Sequence, residues 1–315
     1  MTAGSGRHAA APGGTDGEPF VAGTAIADFH AHTLRSDGVL QPGELVRQAF
    51  EAGVRLFAVS DHDNLAAYRE LTAPDAPPLP QGLELVPAVE INAVTRGHDL
   101  DLPEGELHVL GIGVDPDDAA FEAGLASQRG ARRVRFETTR ATLRDLGMPI
   151  DAYLDPTALA RDDAVGRPTV ARALVAAGHA ESVEDAFNRW LSWGRPAYVP
   201  RSGLGPIDAI RAIRAAGGLA SLAHFPWAPD RISLLRTLMA EGLDGLETNH
   251  RSFTPEQREA MARVATAMGL VATGGTDYHG DLGSYAEAHA GLVMPDELVG
   301  GVRAALVKRR GPAAA

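Results

Sequence analysis

The sequence predicts an α/β fold of repeated strand and helix units, arranged as a parallel sheet or barrel. Three observations carry that expectation. Short apolar runs alternate with helical patterns through most of the chain. Six of those runs have His, Asp or Glu at or near their C-terminal ends, where folds of this class place their chemistry. At 315 residues and 45% hydrophobic, the chain can build one large domain, or a domain plus an insertion.

Eight runs are candidate strands: "GTAIADFH", "RLFAVSDH", "LELVPAVE", "ELHVLGIGV", "GLASLAHF", "LDGLETNH", "GLVATGGTD" and "AGLVM". Helices are expected at Pro42 to Ala52, Pro206 to Ala216, Arg231 to Glu241 and Pro255 to Met268. Pro42 and Pro255 stand at helix starts, where a missing N–H leaves no bond unmade. From about Asp117 to Gly205 the rhythm breaks into helical patterns alone, including "FEAGLASQRGARRVRFETTRATLRDLG", "RPTVARALVAAG" and "SVEDAFNRWLSWG". That stretch is too long for a simple crossover and reads as a helical insertion able to cap the strand ends.

Composition narrows the chemistry. With no cysteine, disulfides, thiolate metal sites and cysteine nucleophiles are excluded, so any metal must sit on His, Asp and Glu. A formal charge of -12 argues against stable DNA binding by phosphate neutralisation, but not against a small phosphorylated substrate. Lys308 is the only lysine among 29 basic residues, which rules out a Walker-type phosphate loop. The first twenty residues lack the apolar stretch of a signal peptide, and no segment offers about 18 uninterrupted apolar residues. The expectation is a soluble cytoplasmic protein with no membrane partner and a disordered leader.

Seven of the eleven histidines fall in or just beyond the strand segments: His30, His32, His62, His108, His224, His250 and His279. His30 and His32, two apart on a strand, share a face and can grip one ion. Asp37 in "RSDG" either initiates a turn or is folded back toward the same strand end. In "SDHDN", Asp63 or Asn64 suits a helix cap, which leaves His62 as the better ligand. Glu90 ends an apolar run where an unpaired carboxylate is costly to bury, so a cation partner is expected. Asp277 and His279 in "GTDYH" repeat the two-residue spacing. Oxygen and nitrogen donors without sulfur suit Zn²⁺, Mn²⁺ or Fe²⁺, and this many donors suit two or three ions sharing a carboxylate.

In order along the chain, "DFHAHTLRSDG", "AVSDHDN", "PAVEI", "LHVLGIGVD", "LAHF" and "TGGTDYHG" resemble the motifs of the PHP (polymerase and histidinol phosphatase) superfamily of metal-dependent phosphoesterases. The resemblance runs from about residue 25 over nearly the whole chain. It implies a distorted (β/α)₇ barrel, the PHP fold, with a helical insertion domain and a trinuclear metal centre. The chain then divides into a leader (1–22), a first barrel part (23–116), the insertion as substrate cap (117–205) and a second barrel part (206–311). One metal is implied at His30, His32, Glu90 and Asp277, a second at Asp37, His62 and His279, and a third at Glu90, His108 and His224. A hydroxide bridging two of these ions is the implied nucleophile.

The insertion segments "GRPTVARALVAAG" and "AFNRWLSWGRPAYVP" are similar to those of a subgroup that removes the 3′-phosphate from 3′,5′-bisphosphonucleosides, such as pAp, and trims short RNA from its 5′ end. That match implies Arg132, Arg135 and Arg167 as phosphate clamps, because a guanidinium donates two parallel hydrogen bonds to phosphate oxygens. Arg35 and His250 are further substrate-contact candidates. The alternatives are arginine enrichment without function for Arg35 and a surface loop for His250. His98 is either an extra contact or a loop residue. Thr169 stands where the subgroup usually has histidine, and "LAHF" replaces Leu-Ala-His-Pro, so the implied substrate is a small phosphorylated nucleotide or short oligoribonucleotide of unspecified identity. The alternative readings are a phosphatase for another small monoester such as histidinol phosphate, or a cyclic phosphodiester hydrolase. The full set of candidate ligands argues against a metal-binding module without activity.

Overall fold

Seven of the eight apolar runs form strands: β1 (Ala27–Asp28), β2 (Leu56–Val59), β3 (Glu84–Val94), β4 (Glu106–Ile112), β5 (Leu219–Leu222), β6 (Gly245–His250) and β7 (Val271–Gly275). The computed structural model describes residues 25–95, 105–156, 165–280 and 283–310, so the expected leader and His98 lie outside the described residues. The eighth run, "AGLVM", is not a strand. Leu292 and Met294 instead join Leu298, Val299 and Val302 in an apolar cluster with side chains of β1 to β5, and Pro295 follows at once without an N–H for a ladder.

The strands pair in chain order, β1 through β7. All pairs are parallel except those of β4, which runs antiparallel to both β3 and β5. An all-parallel arrangement would need a crossover of about a dozen or more residues between β3 and β4. Only residues 95–105 join them. The reversal has a functional consequence: the N-terminal end of β4 lies beside the C-terminal ends of its neighbours. His108, early in its strand, is paired with Asn92 near the end of β3 and so reaches the same face as the other candidate ligands.

Contacts between β1 and β7 bring the first and last strands together. The Phe29 N–H donates to the Gly274 carbonyl at 3.1 Å, and Ala31 bridges Tyr278 in parallel register. The buried Asp28 carboxylate fastens the seam, accepting from the His30 N–H (3.0 Å), the Thr276 N–H (3.0 Å), the Thr276 hydroxyl (2.6 Å) and the Tyr285 hydroxyl (2.7 Å). The approach is close enough that a Cβ on Gly275 would lie 2.3 Å from the Cβ of His30.

Helices cover the sheet: α1 (Pro42–Glu51), α2 (Ala66–Thr72), α3 (Ala119–Asp145), α4 (Arg167–Ala176), α5 (Val183–Ala186), α6 (Pro206–Ala215), α7 (Ile232–Ala240), α8 (Pro255–Met268), α9 (Tyr285–Ala290) and α10 (Asp296–Arg310). Proline opens α1, α6 and α8 as its fixed φ favours. Between β4 and β5 the described residues hold helices and no strand. There, Phe136, Leu143, Ile150, Val170, Leu174 and Leu191 form an apolar cluster separate from the barrel core. The 27-residue α3 joins the two, with Phe121 and Leu125 in the barrel core and Phe136 and Leu143 in the second cluster. Among the described residues no helix is long and apolar enough to cross a membrane.

Asp28→Ala would leave several buried donors at the β1/β7 seam without an acceptor. Each hydrogen bond to a charged group is worth about 1.5–3 kcal/mol, so a loss of at least about 3 kcal/mol is expected by urea denaturation. A loss below about 1 kcal/mol would show that the seam does not depend on this carboxylate.

Candidate metal centre

The pair His30 and His32 enters the site directly from β1, and the turn after it is built to return Asp37. The Ser36 and Gly38 N–H groups both donate to the Thr33 carbonyl, at 3.1 and 3.0 Å. Asp61, at the end of β2, clamps this turn by accepting from the Thr33 N–H (2.8 Å), the Thr33 hydroxyl (2.6 Å) and the Ser36 hydroxyl (2.6 Å). Gly38 is needed for the fold-back, since a Cβ there would lie 2.4 Å from the His32 carbonyl oxygen. Asp37 Oδ1 thereby comes 3.2 Å from His279 Nε2 and 3.6 Å from His62 Nε2.

Glu90 lies at the middle of the cluster and is fully buried. Its Oε1 is 2.9 Å from His108 Nδ1, 3.1 Å from His224 Nε2 and 3.3 Å from His30 Nε2. Its Oε2 is 2.8 Å from His62 Nδ1 and 3.3 Å from His32 Nε2. Asp277 Oδ1 lies 3.2 Å from His30 Nε2 and 3.3 Å from His32 Nε2. All nine ligand candidates are therefore in one contiguous cluster. His250 is buried and joins its edge, with Nε2 3.4 Å from Asp277 Oδ2, so it does not lie on a surface loop.

Among the described residues, three sets of donor atoms converge tightly enough to hold a cation, the atoms of each within 4.8 Å of one another: His32, Asp37, His62 and His279; His30, His32, Glu90 and Asp277; His62, Glu90 and His108. Buried donor atoms in these sets make no hydrogen bond, namely His30 Nε2, His32 Nε2, Asp37 Oδ1, His62 Nδ1, Glu90 Oε2 and Asp277 Oδ1. Native interiors leave few polar atoms unpaired, and a convergent group of them fits divalent cations as the missing partners. The backbone is strained at the same place. Asp63, His224 and Asp277 have φ of 49°, 25° and 48°, a conformation that side chains other than glycine seldom adopt.

Sequence reasoning left Glu247 without a role, and the structure supplies one. Its Oε1 lies 3.1 Å from His30 Nδ1 and its Oε2 accepts the His224 N–H at 2.6 Å. A carboxylate on the far nitrogen orients an imidazole and fixes its tautomer.

The electrostatics follow from packing. Burial alone would raise Asp37, but the imidazoles of His62 and His279 hold it well below the usual carboxylate range. Glu90 is likewise pulled well down against its burial by His108, His30 and His62, as is Asp277 by His30 and His279. Burial pushes His62 down to about 4, despite the attraction of Asp37 and Glu90.

A second group of charges adjoins the cluster. Arg132 and Arg135 are buried on one face of α3, and Arg167 opens α4. Arg132 Nε lies 2.5 Å from Asp63 Oδ2, and its Nη2 donates to Asn92 Oδ1. Asn92 Nδ2 is in turn 2.6 Å from His108 Nε2. Arg167 and Arg201 share one carboxylate, Glu106, at 2.9 and 2.6 Å, and Glu106 is 3.8 Å from His108. Burial and the neighbouring charges of Arg167 and Arg201 depress Arg135 to about 9. Arg201 and Glu106 escaped sequence reasoning; the one signal for Arg201 was an arginine near the end of the insertion, directly after "AFNRWLSWGRPAYVP". Arg35 stands apart from this group, held by Glu70 on α2.

Comparison with known proteins places this geometry. No family model matches the chain. A 5′-3′ exoribonuclease from Haemophilus influenzae is 34% identical over 262 residues, covering 80% of this chain and 89% of its own length. The chain belongs to the PHP family of metal-dependent phosphoesterases. A second relative, a 3′,5′-nucleoside bisphosphate phosphatase from Chromobacterium violaceum, is 31% identical across 81% of this chain and 87% of its own. A crystal structure from Bifidobacterium adolescentis, described as a metal-dependent phosphoesterase, superposes with a TM-score of 0.72 at 31% identity, covering 89% and 96% of the two chains. This PHP protein is thus an enzyme, a metal-dependent hydrolase of phosphoric esters, on a nearly closed seven-stranded barrel.

Acid should destabilise the metal-free PHP enzyme through two sets of groups. His62, neutral in the fold, loses stability as pH falls from about 6.5 toward its folded value. Asp37, Glu90 and Asp277 contribute stability above their unfolded values near 4, which is lost as pH drops through their lower folded ones. Urea midpoints of chelator-treated protein are expected to fall steadily from about pH 6.5 to pH 3. A flat profile over that range would contradict the charge pattern.

Proposed function

We propose that this PHP phosphoesterase removes the 3′-phosphate from 3′,5′-bisphosphonucleosides and trims short 5′-phosphorylated RNA. The observation that carries this reading is the arginine group of Arg132, Arg135, Arg167 and Arg201, linked to the cluster through Asn92, Glu106 and His108. A substrate with one phosphate needs only the cluster. A cationic pocket beside it, with mutual repulsion that an anion would relieve, suits a second phosphate one ribose away.

In this reading His30, His32, Glu90 and Asp277 hold one cation, Asp37, His62 and His279 a second, and Glu90, His108 and His224 a third. The mixed nitrogen and oxygen donors suit Mn²⁺, Zn²⁺ or Fe²⁺, two or three in number. When bound, such ions polarise the phosphoryl oxygens and supply an activated water at neutral pH. Glu247 keeps the Nε2 of His30 turned toward Glu90 and Asp277, and Asp61 keeps the Asp37 turn closed. The arginine group binds the 5′-phosphate and sets the 3′-phosphate against the cluster. Hydrolysis adds the water oxygen to phosphorus and breaks the bond to the 3′-oxygen, which takes up a proton. The products are a nucleoside 5′-phosphate and either inorganic phosphate or an RNA shortened by one nucleotide.

A panel of 3′,5′-bisphosphoadenosine, 5′-phosphorylated oligoribonucleotides, histidinol phosphate and simple nucleotides, assayed with Mn²⁺, tests the assignment. The bisphosphate is expected to give the highest kcat/KM, and Asp277→Ala is expected to abolish turnover together with the rise in Tm on adding Mn²⁺. Faster turnover of histidinol phosphate would overturn the nucleotide reading.

Arg167→Ala removes one phosphate donor and should lower kcat/KM on the bisphosphate about 10- to 100-fold, mainly through KM. Unchanged kinetics would mean that the arginine group serves only the packing of the insertion.

A further inference from the structure

Beside His108 and His224 the surface opens into a cavity of about 540 Å³ that the mechanism above leaves unused. This volume lies in the range of roughly 300–1,000 Å³ typical of small-ligand sites. Its outer wall is the loop after β5, which carries Phe225, Trp227 and Arg231. Phe225 is buried, and its ring meets that of Trp227 at 5.7 Å and 70°, an edge-on contact that props the indole. Trp227 nevertheless stays 62% exposed. The loop holds it firmly, since the Ala228 N–H donates to the Phe225 carbonyl at 3.1 Å and the Asp230 N–H to the Trp227 carbonyl at 3.0 Å. A large, exposed aromatic ring on a hydrogen-bonded loop at the mouth of a site is a stacking platform rather than a core residue.

The position selects the occupant. The cavity shares His108 and His224 with the cluster, and Glu106 lines both it and the arginine pocket of Arg135, Arg167 and Arg201. A group seated in it can therefore join the phosphate at the cluster through His108 and His224, with Glu106 standing between it and the phosphate among the arginines. In a 3′,5′-bisphosphonucleoside the reacting phosphate carries nothing further. In RNA the same phosphate carries the next nucleoside on its 5′-oxygen. We infer that the Phe225–Trp227 cavity is the binding site for the second nucleoside of an RNA substrate, with its base stacked on Trp227 and Arg231 lining the path of the following phosphate. The inference rests on the nucleotide reading above and deepens it, because this cavity would let one centre act on RNA as well as on mononucleotides.

The test compares wild-type enzyme with Trp227→Ala and Trp227→Phe on a 5′-phosphorylated diribonucleotide and on 3′,5′-bisphosphoadenosine, with thermal melts to verify folding. Base stacking on an aromatic ring predicts that Trp227→Ala lowers the ratio of kcat/KM on the dinucleotide to that on the bisphosphate roughly tenfold, with Trp227→Phe recovering most of the loss. In parallel, the dinucleotide should quench indole fluorescence of the metal-free protein more than the bisphosphate does, and this excess should vanish in Trp227→Phe, since Trp193 lines the arginine pocket that both ligands would fill. An unchanged ratio, whether both activities stay or fall together, overturns the inference. Wild-type turnover of the bisphosphate without any of the dinucleotide also overturns it and leaves the bisphosphatase reading standing. Turnover of neither substrate by the wild-type enzyme overturns that reading as well.

Discussion

A single buried carboxylate, Glu90, meets five imidazoles, those of His30, His32, His62, His108 and His224. An ionised carboxylate in a protein interior is stable only when its charge is balanced, and here the balance comes from His108 on β4 and from histidines just beyond β1, β2 and β5. The imidazoles cannot all be protonated at once without repelling each other, so cations are the fitting complement to a carboxylate shared this widely. The arrangement places the demands of folding and of catalysis on the same atoms. Donors that would be costly in a metal-free interior are the ones needed to hold ions for phosphoester hydrolysis.

The barrel makes this convergence possible by strand direction and by buried hydrogen bonding outside the cluster. Asp28 fastens β1 to the segment after β7, and Asp61 closes the turn that carries Asp37. Neither needs to touch an ion. Both are aspartates next to candidate ligands in the sequence, "DFH" and "SDH", and their work is to give the adjacent histidines a fixed backbone. The left-handed conformations of Asp63, His224 and Asp277 fit the same picture, since strain of this kind survives only where surrounding contacts over-determine it.

The insertion contributes charge of the opposite sign. Its long helix α3 is anchored in two apolar clusters, which holds Arg132 and Arg135 at a defined distance from the barrel face. Glu106 and Asp63 offset part of the resulting positive charge, while burial, and after it the charges of Arg167 and Arg201, depress Arg135 to about 9. A cationic wall beside a centre that binds cations is tolerable because anionic ligands separate the two.

Much of this was legible in the sequence because the relevant periods are local. The two-residue spacing of His30 and His32, the apolar run ending in Glu90 and the alternation of strands with helices identify an α/β fold and its ligand candidates without any long-range information. The insertion was legible for the same reason, as helical periodicity without strands. The failures came where the outcome depends on partners distant in the chain. "AGLVM" has a strand's composition, yet its Leu292 and Met294 pack with α10 in the apolar cluster that β1 to β5 share. Arg201, outside the metal-site motifs, joins Arg167 because both pair with Glu106. Only tertiary structure reverses β4 and so carries His108, at the start of its strand, to the face where the other strands end. Residue type and local spacing decide which side chains can bind a metal or a phosphate; which of them meet is decided by strand direction and buried charge balance across the closed sheet.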